Sequence, residues 1–257
     1  MKKRGLLASL CVSILMLSGV TVASATDIGL AWAGKSGMAK RVTAGFNQGM
    51  TELAPDIKIE YQEELGTIDD LAVVAGKWEK EKNGMVLLRS NAAEWLGQNP
   101  PAIPTFIGGC NNPEQLGAVK NLQAPEGNIT GVTYYLPVDT QFEIFKAIIP
   151  DLKSVLLLLG DGNPSALLDQ AATKAVCEKR GIEYHEKLCV TGEDAIAAVD
   201  QFKGKVSIII IGNQSLNIDN AENIVKAAGS TPVLSYSSKP VKAGALGGFV
   251  ADDNKLG

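Results

Sequence analysis

Short apolar strands alternate with helices along most of this chain, and that alternation constrains the fold more than any other feature. Residues 156–159 and 208–211 are uninterrupted apolar runs, which is typical of strands that are buried on both faces of a sheet. Val42, Phe46 and Met50 have the spacing of one face of a helix. The alternation therefore predicts parallel sheets with helices packed on both faces.

The alternation occurs twice. Residues 26–131 form one array of strands and helices, and residues 132–250 form a second of similar length that ends in predicted strands at 233–235 and 247–250. The sequence thus predicts an α/β fold with two doubly wound parallel-sheet lobes joined by a hinge, and residues 251–257 begin a return to the first lobe. In such sheets a ligand binds beyond the carboxyl ends of the strands.

Residues 1–25 have the parts of a secretory signal peptide. Basic residues 2–4 precede an apolar run at 5–20, which is short for a membrane span, and Ala-Ser-Ala at 23–25 gives a cleavage site. An uncleaved membrane anchor is the alternative. We expect cleavage before Thr26 and a periplasmic mature protein of 257 − 25 = 232 residues. That length is enough for two domains.

Residues 29–36 match GxxxxGK[ST], the pattern of a nucleotide-binding P-loop. An exported protein meets no ATP, and the interior of the motif, Leu-Ala-Trp-Ala, is strand-like, whereas a phosphate cradle needs free backbone N–H groups. The nearest strand followed by an Asp that could bind Mg²⁺ is the one before Asp161, in the other lobe. We therefore interpret the motif as a strand-to-helix loop whose donors and Lys35 suit some polar ligand.

Composition excludes several other functions. Without residues 2–4 the formal charge changes from −4 to −4 − 3 = −7, and aromatic residues are only 5% of the chain, so binding to nucleic acid or anionic lipid is disfavoured. Cys110, Cys177 and Cys189 lack metal-ligand spacing, and we expect free, buried thiols. No cofactor is indicated. An enzyme is the weaker hypothesis, because His185 is the only histidine and lies in an alternating strand.

Small polar side chains follow the predicted strands. Any one of them could simply fill a turn, since turns favour such residues. Their shared position at one edge of both sheets favours a ligand site instead. These candidates are Ser36, Ser90, Asn91, Asn111, Asn163, Ser165, Asn213, Gln214 and Ser235.

Residues 128–133 read Asn-Ile-Thr-Gly-Val-Thr and are followed by Tyr-Leu-Pro at 135–137 and by a helix that ends at Pro150. With Asn-Pro-Ser at 163–165 and the strand–Gly–Ala–Leu pattern near Gly244, this sequence resembles the periplasmic substrate-binding proteins of ABC transporters. The branch it resembles includes tryptophan- and tyrosine-binding members. The resemblance implies a type I binding protein, whose lobes close on a small molecule and which delivers it to a permease in the inner membrane.

The chain departs from that branch in two respects. Members often carry acidic residues where this chain has Tyr134, Asn213 and Tyr236, and a buried ammonium group needs an anion or several acceptors. An amino acid and a neutral or anionic small molecule, aromatic or not, are therefore equally good candidate ligands. Related chains also continue past residues 256–257, so this one looks C-terminally truncated, and a missing helix would leave part of the first sheet uncovered.

These observations give a hypothesis for the ligand. Trp32, Tyr134 and Tyr135 would form an apolar wall, and the helix start at Asn163 and Ser165 would favour a carboxylate. The alternative for Trp32 is packing in the core. We expect a receptor for a carboxylate-containing, aromatic or amino-acid-like molecule that serves an ABC transporter. A sensory module that feeds a membrane receptor is the alternative.

Overall fold

The computed structural model describes residues 27–257, and the predicted signal peptide lies outside them. The first lobe contains β1 (Asp27–Ala33), α1 (Gly37–Leu53), β2 (Lys58–Leu65), α2 (Ile68–Glu81), β3 (Gly84–Leu88), α3 (Ser90–Gln98), β4 (Thr105–Cys110) and β5 (Ile129–Thr133). The second contains α4 (Val138–Ile148), β6 (Ser154–Gly160), α5 (Pro164–Arg180), β7 (Glu183–Cys189), α6 (Gly192–Phe202), β8 (Ile208–Ile211), α7 (Ser215–Asp219), α8 (Ala221–Ala228), β9 (Val233–Ser235) and α9 (Ser238–Lys242). The last helix is α10 (Asp253–Leu256).

Each lobe is built on a parallel sheet, which confirms the predicted fold class. The strand orders are β2-β1-β3-β4-β5 and β7-β6-β8-β9. The strands β6 and β8 are buried along their whole length, as their uninterrupted apolar runs predict. Both sheets reverse direction of winding next to their first strand, between β1 and β3 and between β6 and β8. These are the switch points at which α/β sheets bind ligands.

Local sequence explains where the helices begin and end. Ser36 caps α1 by accepting a hydrogen bond from the backbone N–H of Ala39, and Asn163 caps α5 in the same way, followed by Pro164 at the first helical position. The helix α5 ends at Gly181, whose φ of 65° is left-handed and favours glycine. The loops at the switch points are therefore held by their own side chains.

The two sheets differ in how their faces are covered. Both faces of the second sheet carry buried clusters. In the first sheet, α2 and α3 cover one face, while α1 and α10 cover only part of the other. An open apolar cavity of about 600 Å³ remains there. Phe106 on β4 and Val132 on β5 line it and are 52% and 44% exposed.

Two crossings join the lobes. The chain leaves the first sheet after Thr133, and residues 247–252 lead back to α10, which packs against α1. Residues 247–250, which the sequence predicts as a strand, form only a bridge between Gly247 and Leu234, because this segment carries the lobe crossing. A side chain at Gly45 of α1 would collide with the backbone of Asn254, so the close contact with α10 requires glycine there.

Three cysteines of the described chain, Cys110, Cys177 and Cys189, are buried free thiols. No helix within residues 27–257 combines the length and the apolarity that a membrane crossing needs.

Candidate functional site

The strand-end loops of the two lobes meet in a narrow cleft at the switch points. Loops after β1, β3 and β4 face loops after β6 and β8 across this cleft. A direct hydrogen bond crosses it: the side-chain amide of Asn111, after β4, donates to the carboxylate of Asp169 on α5 at 2.9 Å. The lobes therefore lie in contact, and the space between them consists of small cavities.

We distinguish three spaces in the cleft. The Arg89 cavity, about 30 Å³, is lined by Ser36, Arg89, Ser90, Tyr134, Asn163 and Asn213, among others. The Asp169 cavity, about 20 Å³, lies on the hinge side and is lined by Asn111, Tyr134, Tyr135, Gln141, Asp169 and Tyr236, among others. The outer groove, about 490 Å³, runs past Gly34, Thr67, Arg89, Asn91, Trp95 and Pro164.

Arg89 is the cationic group of this cleft. It directly follows the buried strand β3, with a φ of 84°, and such a conformation costs a residue with a side chain about 1–3 kcal/mol. One guanidinium nitrogen, Nη1, donates to the backbone carbonyl of Ala33. Burial lowers the pKa of Arg89. None of the ion pairs formed within residues 27–257 includes this guanidinium.

Asp169 is the anionic group. It is buried in the middle of α5, and its carboxylate accepts from Asn111, from the side-chain amide of Gln214 at 2.7 Å and from the backbone N–H of Asn213 at 3.3 Å. Burial raises the pKa of Asp169 to about 6, although these three donors oppose the shift. A carboxylate that has three hydrogen-bond donors and no cationic partner among residues 27–257 is therefore held at the junction of the lobes.

Two tyrosines border this carboxylate. Burial raises the pKa of Tyr134 and of Tyr236, and the charge of Asp169 raises both further. The hydroxyl of Tyr236 bonds with Thr173 Oγ1 at 2.9 Å, and that of Tyr134 lies 3.3 Å from Ser90 Oγ. Their hydroxyls thus have partners outside the Asp169 cavity.

The structure brings most of the sequence-predicted site residues together. Ser36, Ser90, Asn111, Tyr134, Tyr135, Asn163, Asn213 and Tyr236 line the two cavities. Asn91 lies at the outer groove. Ser165, Gln214 and Ser235 are fully buried behind the cleft surface. The side-chain amide of Gln214 accepts from the N–H of Gly160 and donates to Ser165 and Asp169. Gln214 therefore stabilises the site without lining its two cavities.

The structure corrects the predicted role of Trp32 in the ligand site. Its side chain lies in the first-lobe core with Leu30, Val42 and Leu88 and does not border the cleft cavities. Successive residues of a strand point to opposite faces, so Trp32 shares the face of Leu30 and packs under α1. The expected apolar wall at this position is therefore absent, and the alternative of core packing holds.

Sequence reasoning missed Arg89 and Asp169. A signal existed for both. Arg89 is a charged residue that directly follows a fully apolar strand, which is unusual for a helix start. Asp169 lies three residues after Ala166 and four before Thr173, so it occupies the buried stripe of α5. Lys35 of the P-loop-like motif is exposed and forms no ion pair with any other described residue.

Comparisons with known proteins identify the family to which this chain belongs. A family model described as "ABC transporter substrate binding protein" matches residues 35–257. The tyrosine-binding protein of Clostridioides difficile (strain R20291) is 23% identical over 205 residues, which are 79% of this chain and 59% of the relative. The chain thus spans about three-fifths of the length of that relative.

Solved structures share the fold. An ABC domain from Streptococcus pneumonia in complex with L-Trp has a TM-score of 0.76 at 21% identity, covering 91% of this chain and 81% of that one. A ligand-free, open substrate binding protein from Clostridium difficile has a TM-score of 0.68 at 21% identity, covering 90% and 81%. At these identities the likeness concerns the fold.

Proposed function

Because the chain belongs to the family of ABC transporter substrate binding proteins, we propose that it is an extracytoplasmic receptor for a small carboxylate-containing molecule. Its lobes close on that molecule, and the closed form delivers it to an ABC transporter permease without chemical change. The named ligands of its relatives, tyrosine and L-Trp, favour an aromatic or amino-acid-like body.

The observation that carries the proposal is Arg89. A guanidinium has five N–H donors in a planar fork that fits a carboxylate in bidentate fashion. Here one donor is used by the Ala33 carbonyl, and no acidic side chain within residues 27–257 takes the others as an ion pair. A half-buried cation without an anion is costly, and a ligand carboxylate would remove that cost.

The surroundings of Arg89 support an anion at this place. Ser36, which also lines the Arg89 cavity, caps the start of the 17-residue helix α1, and the N-terminus of a helix favours negative charge. Arg89 also borders the outer groove, where Trp95 offers aromatic surface for a ligand body. Since the Arg89 cavity is only about 30 Å³, the lobes must part before a ring can enter.

Calorimetric titration tests the proposal. L-Tyrosine and L-tryptophan are the first probes, with 3-(4-hydroxyphenyl)propanoate and indole-3-propanoate as carboxylates without an amino group. Arg89→Gln should weaken binding by about 10- to 100-fold, the loss of a charge-assisted hydrogen-bond pair. Lys35→Gln is the matched control, because it removes one positive charge from an exposed position near the same loop. Equal affinities in both variants would contradict the proposal.

A further inference from the structure

The hydrogen bond between Asn111 and Asp169 crosses the cleft, and the first lobe holds its donor in place. The backbone N–H of Asn111 donates to Ser90 Oγ at 3.0 Å, and Thr133 Oγ1 donates to the Asn111 carbonyl at 3.0 Å. The backbone N–H of Asn112 donates to the side-chain oxygen of Asn111 at 2.8 Å. This bond orients the side-chain amide, whose nitrogen donates to Asp169 at 2.9 Å. The first lobe therefore presents this donor in one orientation.

The second lobe holds the acceptor in the same way. One carboxylate oxygen of Asp169 accepts from the side-chain amide of Gln214 at 2.7 Å and from the backbone N–H of Asn213 at 3.3 Å. The other oxygen accepts from Asn111. The Gln214 amide is itself oriented by the backbone N–H of Gly160. The bond between the lobes is thus formed by preorganised groups of the protein, and it needs no bound molecule.

Closing the lobes in this way buries a charge. Asp169 is 7% exposed, and Asn111 covers it from the first lobe. When the lobes part, Asn111 moves away with the first lobe and water reaches the carboxylate. A buried carboxylate without a cation is costly, and its neutral, protonated form avoids that cost. Burial accordingly raises the pKa of Asp169 in the closed cleft to about 6, from an ordinary 3.8.

The other titratable groups around Asp169 carry no charge that could offset its own. Burial raises the pKa of Tyr134 and of Tyr236, so both rings stay neutral. Burial likewise raises the pKa of Cys110, at the end of β4, and of Cys177, on α5, to about 12. Among the residues of the described chain that line the Asp169 cavity, Asp169 is therefore the charged one.

Charged side chains on the elements around α5 are engaged away from this carboxylate. On β7, Glu186 accepts from the side-chain amide of Gln170. On α4, Asp139 pairs with basic residues at the C-terminal end of α5. Arg89 and Glu94, from the first lobe, border the outer groove and do not line the cavity beside the carboxylate. Burial by the opposite lobe is thus the main influence on the protonation of this group.

A neighbouring side chain is suited to the protonated form of Asp169. The side-chain oxygen of Gln141 lines the same cavity, is buried and has no hydrogen-bond partner among the described residues. A carboxylate has about four acceptor positions and no donor, whereas a protonated carboxyl group has one O–H donor. Protonation would therefore supply this cavity with a donor and still leave acceptor positions for the three donors that Asp169 already receives.

We propose that the Asn111–Asp169 hydrogen bond is a proton-dependent latch, which joins the lobes through the protein's own atoms and holds the cleft closed more firmly when Asp169 is protonated. The closed form binds a proton that the open form releases between about pH 4 and pH 6. Acid therefore favours the closed cleft, and neutral pH favours the open one. Since a small molecule enters only between parted lobes, acid should slow its entry. This inference rests on the proposed function only in that the lobes part, and the identity of the ligand does not enter it.

Distances between two spin labels measure the latch in protein without added ligand. Asp69→Cys on α2 and Glu193→Cys on α6 place one label at an exposed position of each lobe. The native cysteines Cys110, Cys177 and Cys189 are buried and stay unlabelled. Pulsed electron–electron double resonance then gives the fractions of closed and open protein. The ratio of closed to open protein should be about tenfold higher at pH 5 than at pH 7.

Two variants and one control, each made in the labelled protein, assign this change to the latch. Asp169→Asn should make the ratio independent of pH, because the titrating group is gone. Asn111→Asp places a second carboxylate against the first, and two carboxylates at one site cannot both stay ionised. This variant should be mostly open at pH 7 and should close on acidification by more than about tenfold. Asp151→Asn changes an exposed carboxylate of the second lobe and should behave like the wild type.

The outcomes separate the latch from the proposed function. Equal closed fractions at pH 5 and pH 7 in the wild type would overturn the latch, as would a pH effect that survives in Asp169→Asn. If Asp169→Asn does not fold, Asn111→Asp decides: closure equal to that of the wild type at pH 7 would overturn the latch. The proposed function depends on the ligand titrations of Arg89→Gln and not on these distances. Weakened ligand binding in Arg89→Gln together with a cleft that ignores pH would keep the proposed function and reject the latch.

Discussion

The two sheets of this protein have the same parallel winding and differ in their exposure to solvent. In the second lobe, β6 and β8 are buried at every position and helices cover both faces. In the first lobe, β5 exposes three of its five residues, and an apolar cavity of about 600 Å³ borders β4 and β5. Burial of a strand on both faces therefore requires a helix on each face of its sheet.

The largest expected effect compares a buried strand position of the second lobe with a half-exposed one of the first. Leu157→Ala on β6 removes a fully buried side chain and should lower the free energy of unfolding by about 2–5 kcal/mol. Phe106→Ala on β4 should cost less than about 1.5 kcal/mol, because half of this side chain is already exposed. Urea unfolding followed by circular dichroism measures both. Similar losses would show that the first sheet is covered on that face in solution.

A second test concerns Asp169, the buried carboxylate of the second lobe that accepts a hydrogen bond from Asn111 of the first. Burial raises the pKa of Asp169 from its ordinary 3.8 to about 6. Between about pH 4 and pH 6 the folded state therefore binds more protons than the unfolded state, and this group makes stability fall as the pH rises. Asp169→Asn should remove that contribution, changing the stability difference between pH 4 and pH 7 by about 1–3 kcal/mol.

The control for this measurement is Asp151→Asn, which changes an exposed carboxylate of the second lobe. Thermal unfolding at a series of pH values from 4 to 7 gives the slopes. Identical slopes for wild type and Asp169→Asn would mean that water reaches this carboxylate, and the contrast between a closed cleft and an open first-lobe face would weaken.

A third test concerns the backbone of the first lobe. Arg89 has a φ of 84°, which glycine adopts without steric cost. Without ligand, Arg89→Gly should therefore be more stable than Arg89→Gln by about 1 kcal/mol, since both lose the guanidinium and only one loses the strain. Chemical denaturation of the two variants gives the difference. A glutamine variant as stable as the glycine variant would place residue 89 in an ordinary conformation.

The smallest expected effect concerns α10. Arg41 on α1 donates from Nε and Nη2 to Asp253 at 2.9 and 2.7 Å, and this pair fastens α10 to the less covered face. Asp253→Asn should cost about 0.5–1 kcal/mol, and less at high salt. Asp200→Asn, which breaks an exposed pair with Lys203 in the second lobe, should change stability by even less. A larger loss for Asp200→Asn would reverse the expected order.

The strands could be predicted where the local pattern and the burial agree. Runs such as 208–211 are apolar because both neighbouring layers cover them, so the sequence carries the signal directly. Residues 247–250, which read Gly-Gly-Phe-Val, form no strand, since the crossing between lobes takes the chain away from the sheet edge. The division of the chain near residue 131 stays a prediction, and β5 extends to Thr133.

The candidate site was less accessible from sequence. Strand-end loops are predictable, because parallel strands place their carboxyl ends at one edge. Asp169 is a side chain in the middle of a helix, and its role depends on the approach of Asn111 from the other lobe. Trp32 shows a further limit: alternation along β1 tells which residues share a face, and it does not tell which face receives α1.

The strand orders described above make the two lobes near copies of each other. Counted from its own first strand, each sheet begins in the order second, first, third, fourth. The two halves of the frame around the cleft therefore share one topology, and each presents the carboxyl ends of its strands to one end of a bound molecule. Any distinction between those ends must come from side chains, with Arg89 on one half and Asp169 on the other.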